Sequence, residues 1–323
     1  MRSRNLTRRT ALIGAVATTA AAAMTTTVRP VHAAAPQTGP IRPSIYRFNR
    51  GAFEVSTVLD GAIQRENPHE IFGTNQAPED VAALAEANFL PGNMMQNDYT
   101  PVVVNTGNEV VLFDTGNGAA RRPGRGALLG TLAANGIAPE DVDIVVITHF
   151  HPDHVGGLFE GEAPAFPNAR YVAGRAEFDF WRANPGARGE GLQRILEATV
   201  FALPEQMTFL EDGQDVVTGI TMIDASGHTP GHAAYHIESE GERLMICADL
   251  CNHFVLSMQR PDWHVVFDMD KEGAAAARRR VLGMIAADRI PFAGYHMPAP
   301  AVGFVAEQGE GFRYIPASYQ LDL

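Results

Sequence analysis

Hydrophobic residues recur along this chain in short stretches that predict β-strands in both halves. Phe53–Leu59 alternates between apolar and polar positions, as a strand with one buried face does. Val142–Ile147 and Ile220–Asp224 are apolar runs too short for typical helices. Ala233–Ile237 and Arg243–Cys247 flank a Glu-Gly pair, which is typical of a hairpin. The pattern therefore places strands throughout the chain.

Helical patterns separate these strands. Pro78–Ala85 begins with a proline at a first-turn position, and Ala127–Ala134 leads into an Asn-Gly turn. A long Ala/Arg-rich helix is predicted from Asp270 to about Ala287, followed by a strand at Arg289–Ala293. Strands come first as neighbours and then alternate with helices in each half. This order predicts an α+β fold in which two sheets pack face to face with helices outside.

The first 33 residues have the pattern of an export signal. Arg8 and Arg9 precede an apolar stretch that ends near Val28, and a small-residue cleavage pattern closes at Ala33. We interpret residues 1–33 as a signal peptide of the twin-arginine type, with an ordinary secretory signal as the alternative. The protein is then expected to be periplasmic or secreted, with one structural domain over residues 34–323 and no membrane span in the mature chain.

The charge of the chain argues against some partners. The net charge is −12, and the first 33 residues contribute five arginines and no acid. Without them 20 basic residues remain against 37 acidic ones, a net charge of −17. A body this acidic is not expected to bind nucleic acid. Cys247 and Cys251 are expected to be free thiols, with a local bridge between them left open.

Seven side chains of metal-binding type follow predicted strands in a strict order. An H-x-H-x-D-H motif begins at His149, and a further histidine, aspartate and histidine follow at wide spacing. The set is His149, His151, Asp153, His154, His228, Asp249 and His296. Loops at strand ends can aim such side chains at one point. Residues i and i+2 of an extended loop point the same way, so His149 and His151 can share one metal and Asp153 and His154 suit a second.

The residue types indicate the metals and their chemistry. Imidazole and carboxylate without thiolate fit Zn²⁺, and also Mn²⁺, Co²⁺ or Fe²⁺. Asp249 has two oxygens and can bridge the two ions. Two divalent metals would hold a bridging hydroxide that attacks a carbonyl or phosphoryl centre. Asp249 and Asp153 are therefore the candidate catalytic residues.

The motif set resembles the metallo-β-lactamase-fold hydrolase superfamily. This resemblance implies a four-layer αββα sandwich. It also implies one metal on His149, His151 and His228 and a second on Asp153, His154 and His296, with Asp249 between them. The Asp114-Thr115-Gly116 turn is similar to another element of the superfamily, which implies that Asp114 supports a ligand histidine.

A closer resemblance is to the methyl parathion hydrolase and lactonase branch. It rests on the stretches Thr148–Leu158, Ala165–Asn168, Asp179–Trp181 and Phe312–Pro316. It implies hydrolysis of lactones, aryl esters or organophosphate triesters. Some acyl-homoserine lactonases carry a tyrosine three residues after the bridging aspartate, where this chain has Asn252.

Substrate contacts are less well defined by the sequence. The candidates are Trp181, Asn252, Arg121 and Phe150. The Arg121–Arg125 loop is either a clamp for an anionic substrate or a solvated loop. His232 is expected to be a hydrogen-bonded structural histidine, whereas His253 is a polar loop residue or a substrate contact.

The sequence thus predicts an exported binuclear hydrolase of a small-molecule lactone, ester or phosphotriester. The alternatives are a metal-bearing binding protein without turnover and a thioester or β-lactam hydrolase of the same fold. A di-iron redox member is disfavoured because such members usually carry Glu where this chain has His151. The oligomeric state stays open, a homodimer included.

Overall fold

A computed structural model describes residues 41–203 and 207–322. The predicted signal peptide at residues 1–33 lies outside the described residues, as does the start of the predicted 34–323 domain. The described chain from Arg42 onward forms one unit. Across the described ranges, no helix combines the length and apolar character that crossing a membrane requires.

Eighteen strands and six α-helices are formed by the described residues. The strands are β1 (Ile45–Arg50), β2 (Phe53–Val58), β3 (Gly61–Glu66), β4 (Met94–Tyr99), β5 (Val102–Asn105), β6 (Val110–Phe113), β7 (Ile144–Ile147), β8 (Phe159–Glu160), β9 (Ala163–Pro164), β10 (Arg170–Gly174), β11 (Met207–Leu210), β12 (Asp215–Val217), β13 (Ile220–Asp224), β14 (Ala233–Ser239), β15 (Glu242–Ile246), β16 (Phe292–Ala293), β17 (Val302–Gln308) and β18 (Gly311–Pro316). The helices are α1 (Pro78–Ala87), α2 (Leu128–Ala134), α3 (Pro152–Val155), α4 (Arg175–Ala183), α5 (Glu190–Ala198) and α6 (Lys271–Asp288).

The strands assemble into two main sheets and two short ribbons. The first sheet has the order β1-β2-β5-β6-β7-β10-β11 and is parallel from β6 to β11. The second sheet has the order β12-β13-β14-β15-β16-β17-β18. In it, β13, β15 and β16 run in the same direction, because β14 is antiparallel to both its neighbours and β16 is parallel to β15.

Side chains from both sheets meet in one core. Val111 and Val146 of the first sheet pack with Tyr235 and Ile246 of the second. The alternate residues of the same strands, such as Val145, pack instead against the helices on the outside. Both faces of these central strands are buried, which explains why their sequences are continuously apolar.

The helices cover the outer faces of the two sheets. Leu132 of α2, Trp181 of α4 and Leu196 of α5 pack in the cluster beneath the first sheet. Leu282 of α6 packs with Phe292 beneath the second. The order helix, sheet, sheet, helix confirms the predicted αββα sandwich and its α+β class.

Two local features differ from the sequence expectation. The strand predicted at Arg289–Ala293 is confined to Phe292–Ala293, because Arg289 ends α6 in the left-handed conformation with φ 54° and ψ 34°. The sequence does not predict the antiparallel β3–β4 ribbon, because Gln96, Asn97 and Asp98 interrupt the apolar pattern of β4. Cys247 and Cys251 are buried free thiols, as predicted.

Candidate metal centre

The seven predicted ligands follow strands at one edge of the sandwich, with Asp153 and His154 in the short helix α3. His149 follows β7, whose parallel neighbour β6 leads into Asp114. His228, Asp249 and His296 follow β13, β15 and β16, which run in one direction. Parallel strands end at the same edge of a sheet, so the fold itself brings these loops together.

Four side chains form the first cluster. His149 Nε2 lies 3.1 Å from His151 Nδ1, which lies 2.9 Å from His228 Nε2. Asp249 Oδ2 is 3.3 Å from His228 Nε2 and 3.9 Å from His149 Nε2. Atoms bound tetrahedrally to zinc at the usual bond lengths are about 3.3 Å apart. The cluster therefore has the spacing of a single tetrahedral ion.

A second cluster shares Asp249 with the first. His154 Nε2 lies 3.2 Å from Asp249 Oδ1 and 3.5 Å from Asp153 Oδ2. His296 Nε2 lies 3.2 Å from Asp249 Oδ2 and 3.5 Å from Asp153 Oδ2. In each cluster the candidate ligand atoms all lie within 4.8 Å of one another. Asp249 thus belongs to both clusters: its Oδ2 lies near His228 and His296, and its Oδ1 lies near His154.

Two buried atoms at this junction lie 3.2 Å apart and yet form no hydrogen bond with each other or with another described residue. They are His154 Nε2 and Asp249 Oδ1. A buried polar atom without a partner costs free energy, so its retention calls for a missing partner. A divalent cation between the two atoms would supply one, and the clustered histidines and carboxylates are suitable ligands for it. The residues present therefore fit two metal ions.

The remaining ring nitrogen of each of four candidate ligand histidines contacts another group. His154 Nδ1 is 2.8 Å from Asp114 Oδ2, as the resemblance implied for Asp114. His296 Nδ1 is 2.8 Å from the Asp98 carbonyl oxygen. The other two contacts are His149 Nδ1 to Thr148 Oγ1 at 3.2 Å and His228 Nδ1 to Asp268 Oδ1 at 2.9 Å. Such contacts orient the rings and leave Nε2 free toward the cluster.

Asp268 was not identified from the sequence. It lies in an irregular stretch between β15 and α6, and nothing local marks it. Asp268 Oδ2 accepts a hydrogen bond from the buried Arg278 of α6 at 2.8 Å. The Arg278–Asp268 pair therefore connects α6 to His228.

The electrostatics of the clustered side chains divide the histidines into two groups. Burial lowers the pKa of His149 and His151 well below the usual range, and neighbouring positive histidines lower it further. Burial also opposes protonation of His228, but hydrogen bonds to Asp249 and Asp268 raise its pKa to about 9. Because His228 is protonated at neutral pH in the absence of metal, a metal ion that binds there must displace a proton.

Residues 99–291 match the sequence profile described as the Metallo-beta-lactamase superfamily. The chain belongs to this superfamily. The finding confirms the predicted resemblance at that level. Membership of the methyl parathion hydrolase branch within the superfamily stays a prediction.

Individual relatives of this superfamily resemble the chain over different lengths. The structure described as AidC, a dizinc quorum-quenching lactonase in complex with a product, is 28% identical with a TM-score of 0.79, over 85% of this chain and 98% of that one. Metallo-beta-lactamase domain-containing protein 1 of Homo sapiens is 41% identical over 104 residues, 28% of this chain and 38% of that protein. An N-acyl homoserine lactonase of Bacillus sp. is 26% identical over 158 residues, 46% of this chain and 57% of that protein. The chain thus spans about two to three fifths of these curated relatives.

A buried glutamate joins two ligand loops of this superfamily member. Glu177 Oε1 accepts hydrogen bonds from Phe150 N–H at 2.8 Å and Trp181 Nε1–H at 2.7 Å. Glu177 Oε2 accepts from Thr229 Oγ1–H at 2.7 Å and Gly231 N–H at 2.9 Å. The loop that carries His149 and the loop that carries His228 are therefore both bonded to one carboxylate.

This arrangement corrects two predicted substrate contacts. Trp181 is 1% exposed and Phe150 is 0% exposed, and both lie in the core beneath the first sheet. Helix α4 places Trp181 one turn beyond Glu177, so the indole faces the carboxylate and the core rather than the ligand edge. Neither side chain is placed to contact a substrate.

Close approach explains the two glycines of the Gly-His-Thr-Pro-Gly-His motif. A Cβ on Gly231 would lie 2.1 Å from Glu177 N, at the start of α4. A Cβ on Gly227, which has φ 133°, would lie 2.2 Å from Ala274 N in α6. Only glycine lets the His228 loop pack this closely against both helices. His232 lies at the end of the motif and contacts the Ala225 carbonyl and Asp249 N–H, as expected of a structural histidine.

A cleft of about 570 Å³ opens over the two clusters. It is lined by Arg65, Asn97, Tyr99, Asn117, Arg121, Arg125, His151, Pro152, Asp153, Arg188, Gly191, Leu192, Ile195, Asp249, Phe267 and His296. Of the predicted substrate residues, Arg121 therefore reaches the cleft. Asn252 is buried beneath it and donates to Asp249 Oδ2 at 2.8 Å, which corrects its predicted role from substrate contact to support of Asp249.

A second, more apolar cavity of about 540 Å³ shares His296 with the cleft. Leu90, Met95 and Leu256 line it. His253 also lines this cavity, and burial lowers its pKa to about 4. His253 is thus a neutral wall residue of the second cavity, and the sequence offered only its position near Asp249.

Proposed function

We propose that this chain is a binuclear metal-dependent hydrolase that opens lactones and cleaves activated esters. One metal would be held by His149, His151 and His228 and the other by Asp153, His154 and His296, with Asp249 shared. The observation that carries the proposal is the pair of ligand clusters that meet at Asp249 beneath an open cleft. A degenerate binding protein would be expected to lack one or more of these side chains.

When bound, two divalent ions would make water nucleophilic at neutral pH and stabilise the negative charge that develops on the substrate. The chain's own residues orient the site for that purpose. Asn252 Nδ2 donates to Asp249 Oδ2, and Asp249 N–H donates to His232 Nε2 at 3.1 Å. These bonds hold the shared carboxylate in place.

Asp153 and Tyr99 are the groups placed to handle protons in the cleft. The Asp153 side chain is 22% exposed, against 4% for Asp249. Asp153 can accept the proton of the attacking water and return it to the leaving oxygen as the single bond between that oxygen and the acyl carbon breaks. Burial and the nearby Asp153 charge raise the pKa of Tyr99. Arg125 donates to the Tyr99 oxygen at 3.3 Å, so the protonated phenol is free to donate to substrate.

Lactones are the first substrate class because AidC, similar over most of both chains, is described as a dizinc lactonase bound to N-hexanoyl homoserine. The partial matches to N-acyl homoserine lactonases support the same class. Zinc is the metal we propose, with Mn²⁺, Co²⁺ and Fe²⁺ as alternatives compatible with the ligand set. Organophosphate triesters remain a second class on the sequence resemblance alone.

The proposal is tested by assaying zinc-loaded and manganese-loaded protein on four substrates. These are N-hexanoyl homoserine lactone, dihydrocoumarin, phenyl acetate and methyl paraoxon. Asp249→Ala should abolish turnover, whereas Asp80→Ala, at an exposed position of α1, should not change it. No turnover of any substrate by protein that holds two metals would overturn the proposal.

We also propose that residues 1–33 direct export of the folded protein. Replacing Arg8 and Arg9 together with lysine should retain the protein in the cytoplasm of an expressing bacterium. Undiminished recovery from the periplasm, measured by fractionation and immunoblotting, would contradict a twin-arginine route.

A further inference from the structure

We propose that the cleft selects esters or lactones that carry an oxyanion, a carboxylate or a phosphate, close to the scissile bond. The inference rests on the proposed hydrolase function and concerns the substrate class of the same site. It begins from four arginines that line the cleft, Arg65, Arg121, Arg125 and Arg188. They come from β3, from the loop after β6 and from the loop between α4 and α5.

The cleft and the whole protein have opposite charge balances. The chain carries −12 overall, with 37 acidic residues against 25 basic ones. Within the cleft lining, four arginines stand against only two carboxylates, Asp153 and Asp249. Both of these carboxylates belong to the ligand clusters, so metal ions would neutralise them. A positive cleft on an acidic surface focuses anions toward the site.

Two of the arginines are held in place by aromatic rings. The Arg65 guanidinium lies 5.8 Å from the Phe267 ring centre, and Arg125 lies 5.6 Å from that of Tyr99. Arg65 Nε is buried and has no hydrogen-bond partner among the described residues. Stacking fixes the direction of a guanidinium without consuming its hydrogen-bond donors. Arg125 donates one hydrogen bond, from Nη1 to the Tyr99 oxygen, and its remaining donors are available to a ligand.

Neither of the other two arginines, Arg121 and Arg188, forms an ion pair with a carboxylate in the described part of the chain. Arg122, next to Arg121, contrasts with both, since it forms a two-pronged ion pair with Glu160 at 2.6 and 2.9 Å. Glu160 of β8 therefore neutralises Arg122, which does not line the cleft, whereas Arg121 lines the cleft and has no ion pair of this kind. Arg188 also lines the cleft; burial lowers the pKa of its guanidinium, and the charge of Asp268 opposes this shift.

The guanidinium fork matches the geometry of carboxylate and phosphate oxygens, and it binds both through paired charge-assisted hydrogen bonds. A neutral lactone or phosphotriester has no negative charge that four guanidinium groups could pair with. The predicted role of Arg121–Arg125 as an anion clamp is thus supported and extended to Arg65 and Arg188, which have no local sequence signal.

The test compares three 4-nitrophenyl esters with the metal-loaded protein. They are the monoester of glutarate, its neutral methyl ester and the phosphonate analogue of the glutarate compound. We expect kcat/KM for at least one anionic ester to exceed that of the neutral ester tenfold or more, and the excess to fall as salt is added. Whichever anion is preferred identifies the oxyanion.

Variants separate the arginine effect from general changes. In Arg121→Gln/Arg188→Gln the anionic-to-neutral ratio of kcat/KM should fall at least tenfold. Arg313→Gln, an exposed position on β18 outside the cleft lining, removes one charge and should leave the ratio unchanged. A ratio near one in the parent protein, or an unchanged ratio in the double variant, would overturn the inference while hydrolysis of the neutral ester still supported the proposed function.

Anion binding to the cleft can also be measured directly, without any hydrolysis. Calorimetric titration of the metal-loaded protein with monomethyl glutarate and with methyl phosphonate should show at least tenfold weaker binding of the preferred anion to the double variant. Equal affinities would refute an arginine clamp, whereas absence of hydrolysis together with the expected binding would refute the proposed function alone.

Discussion

Replacing Glu177 with glutamine should loosen the metal centre from a position that touches none of its ligands. The carboxylate accepts four hydrogen bonds, two at each oxygen, and is fully buried. A glutamine side chain has almost the same shape but replaces one oxygen with an NH₂ group. The NH₂ group would then face two other donors. In one orientation of the amide these are Phe150 N–H and Trp181 Nε1–H, and in the other they are Thr229 Oγ1–H and Gly231 N–H.

The magnitude follows from the bonds lost. The Thr229 hydroxyl can rotate and accept from the new NH₂ group, so the amide is expected to place its nitrogen at the Oε2 position. Gly231 N–H then stays buried without an acceptor, which costs about 1–3 kcal/mol. The remaining bonds lose their charged acceptor, so the total is about 3 kcal/mol. For a domain of this size that corresponds to a Tm lower by roughly 6–12 °C.

The effect on metal binding is a separate readout. Because Phe150 and Gly231 belong to the loops that carry His149 and His228, metal affinity should fall by about tenfold. Differential scanning calorimetry and zinc competition with a chromophoric chelator measure the two quantities. Asp179→Asn removes the same charge from an exposed position of the same helix and serves as the control. If Glu177→Gln matched Asp179→Asn in both measurements, the reasoning about this carboxylate would be refuted.

Three further outcomes follow from the structure. Asp268→Asn leaves the buried Arg278 without its charged partner and should lower the free energy of unfolding, measured by urea titration, by about 3–5 kcal/mol. The control is Asp262→Asn, which disrupts an exposed pair with Arg279 and should lower the free energy of unfolding by at most about 1 kcal/mol. In protein treated with a chelator, the pKa of His228 is raised from 6.5 to about 9. Protonated His228 therefore stabilises the folded state below pH 6.5, and this stabilisation is lost as the pH rises to 9. The Tm of the chelator-treated protein should fall across this interval. Free Zn²⁺ at 100 times its dissociation constant should restore about 2.7 kcal/mol, and no zinc-dependent rise in Tm would contradict a folded-state metal site.

The ligand set could be predicted from the sequence because metal binding restricts residue type so strongly. Few side chains bind divalent cations, and each candidate follows an apolar strand whose length and pattern are visible locally. The αββα layers were predictable for the same reason, since the central strands are apolar on both faces. The superfamily match confirms that level of the interpretation.

Prediction failed where long-range packing decides the role of a side chain. Trp181 belongs to an aromatic helix, and only the position of α4 against the first sheet shows that its indole contacts Glu177. Asn252 follows Asp249 by three residues, yet the turn buries it under the carboxylate. Arg65 and Arg188 are more than 120 residues apart in sequence, and folding alone brings them to one cleft.

The most direct test of the two-metal account is a titration of chelator-treated protein with zinc. Calorimetry measures the number of ions bound, and hydrolysis of N-hexanoyl homoserine lactone measures the activity at each step. We predict two bound zinc ions per chain and full activity only when both sites are filled, with Asp249→Ala showing at most one tightly bound ion and no turnover. Saturation at one ion with full activity, or activity retained in Asp249→Ala, would contradict the central claim.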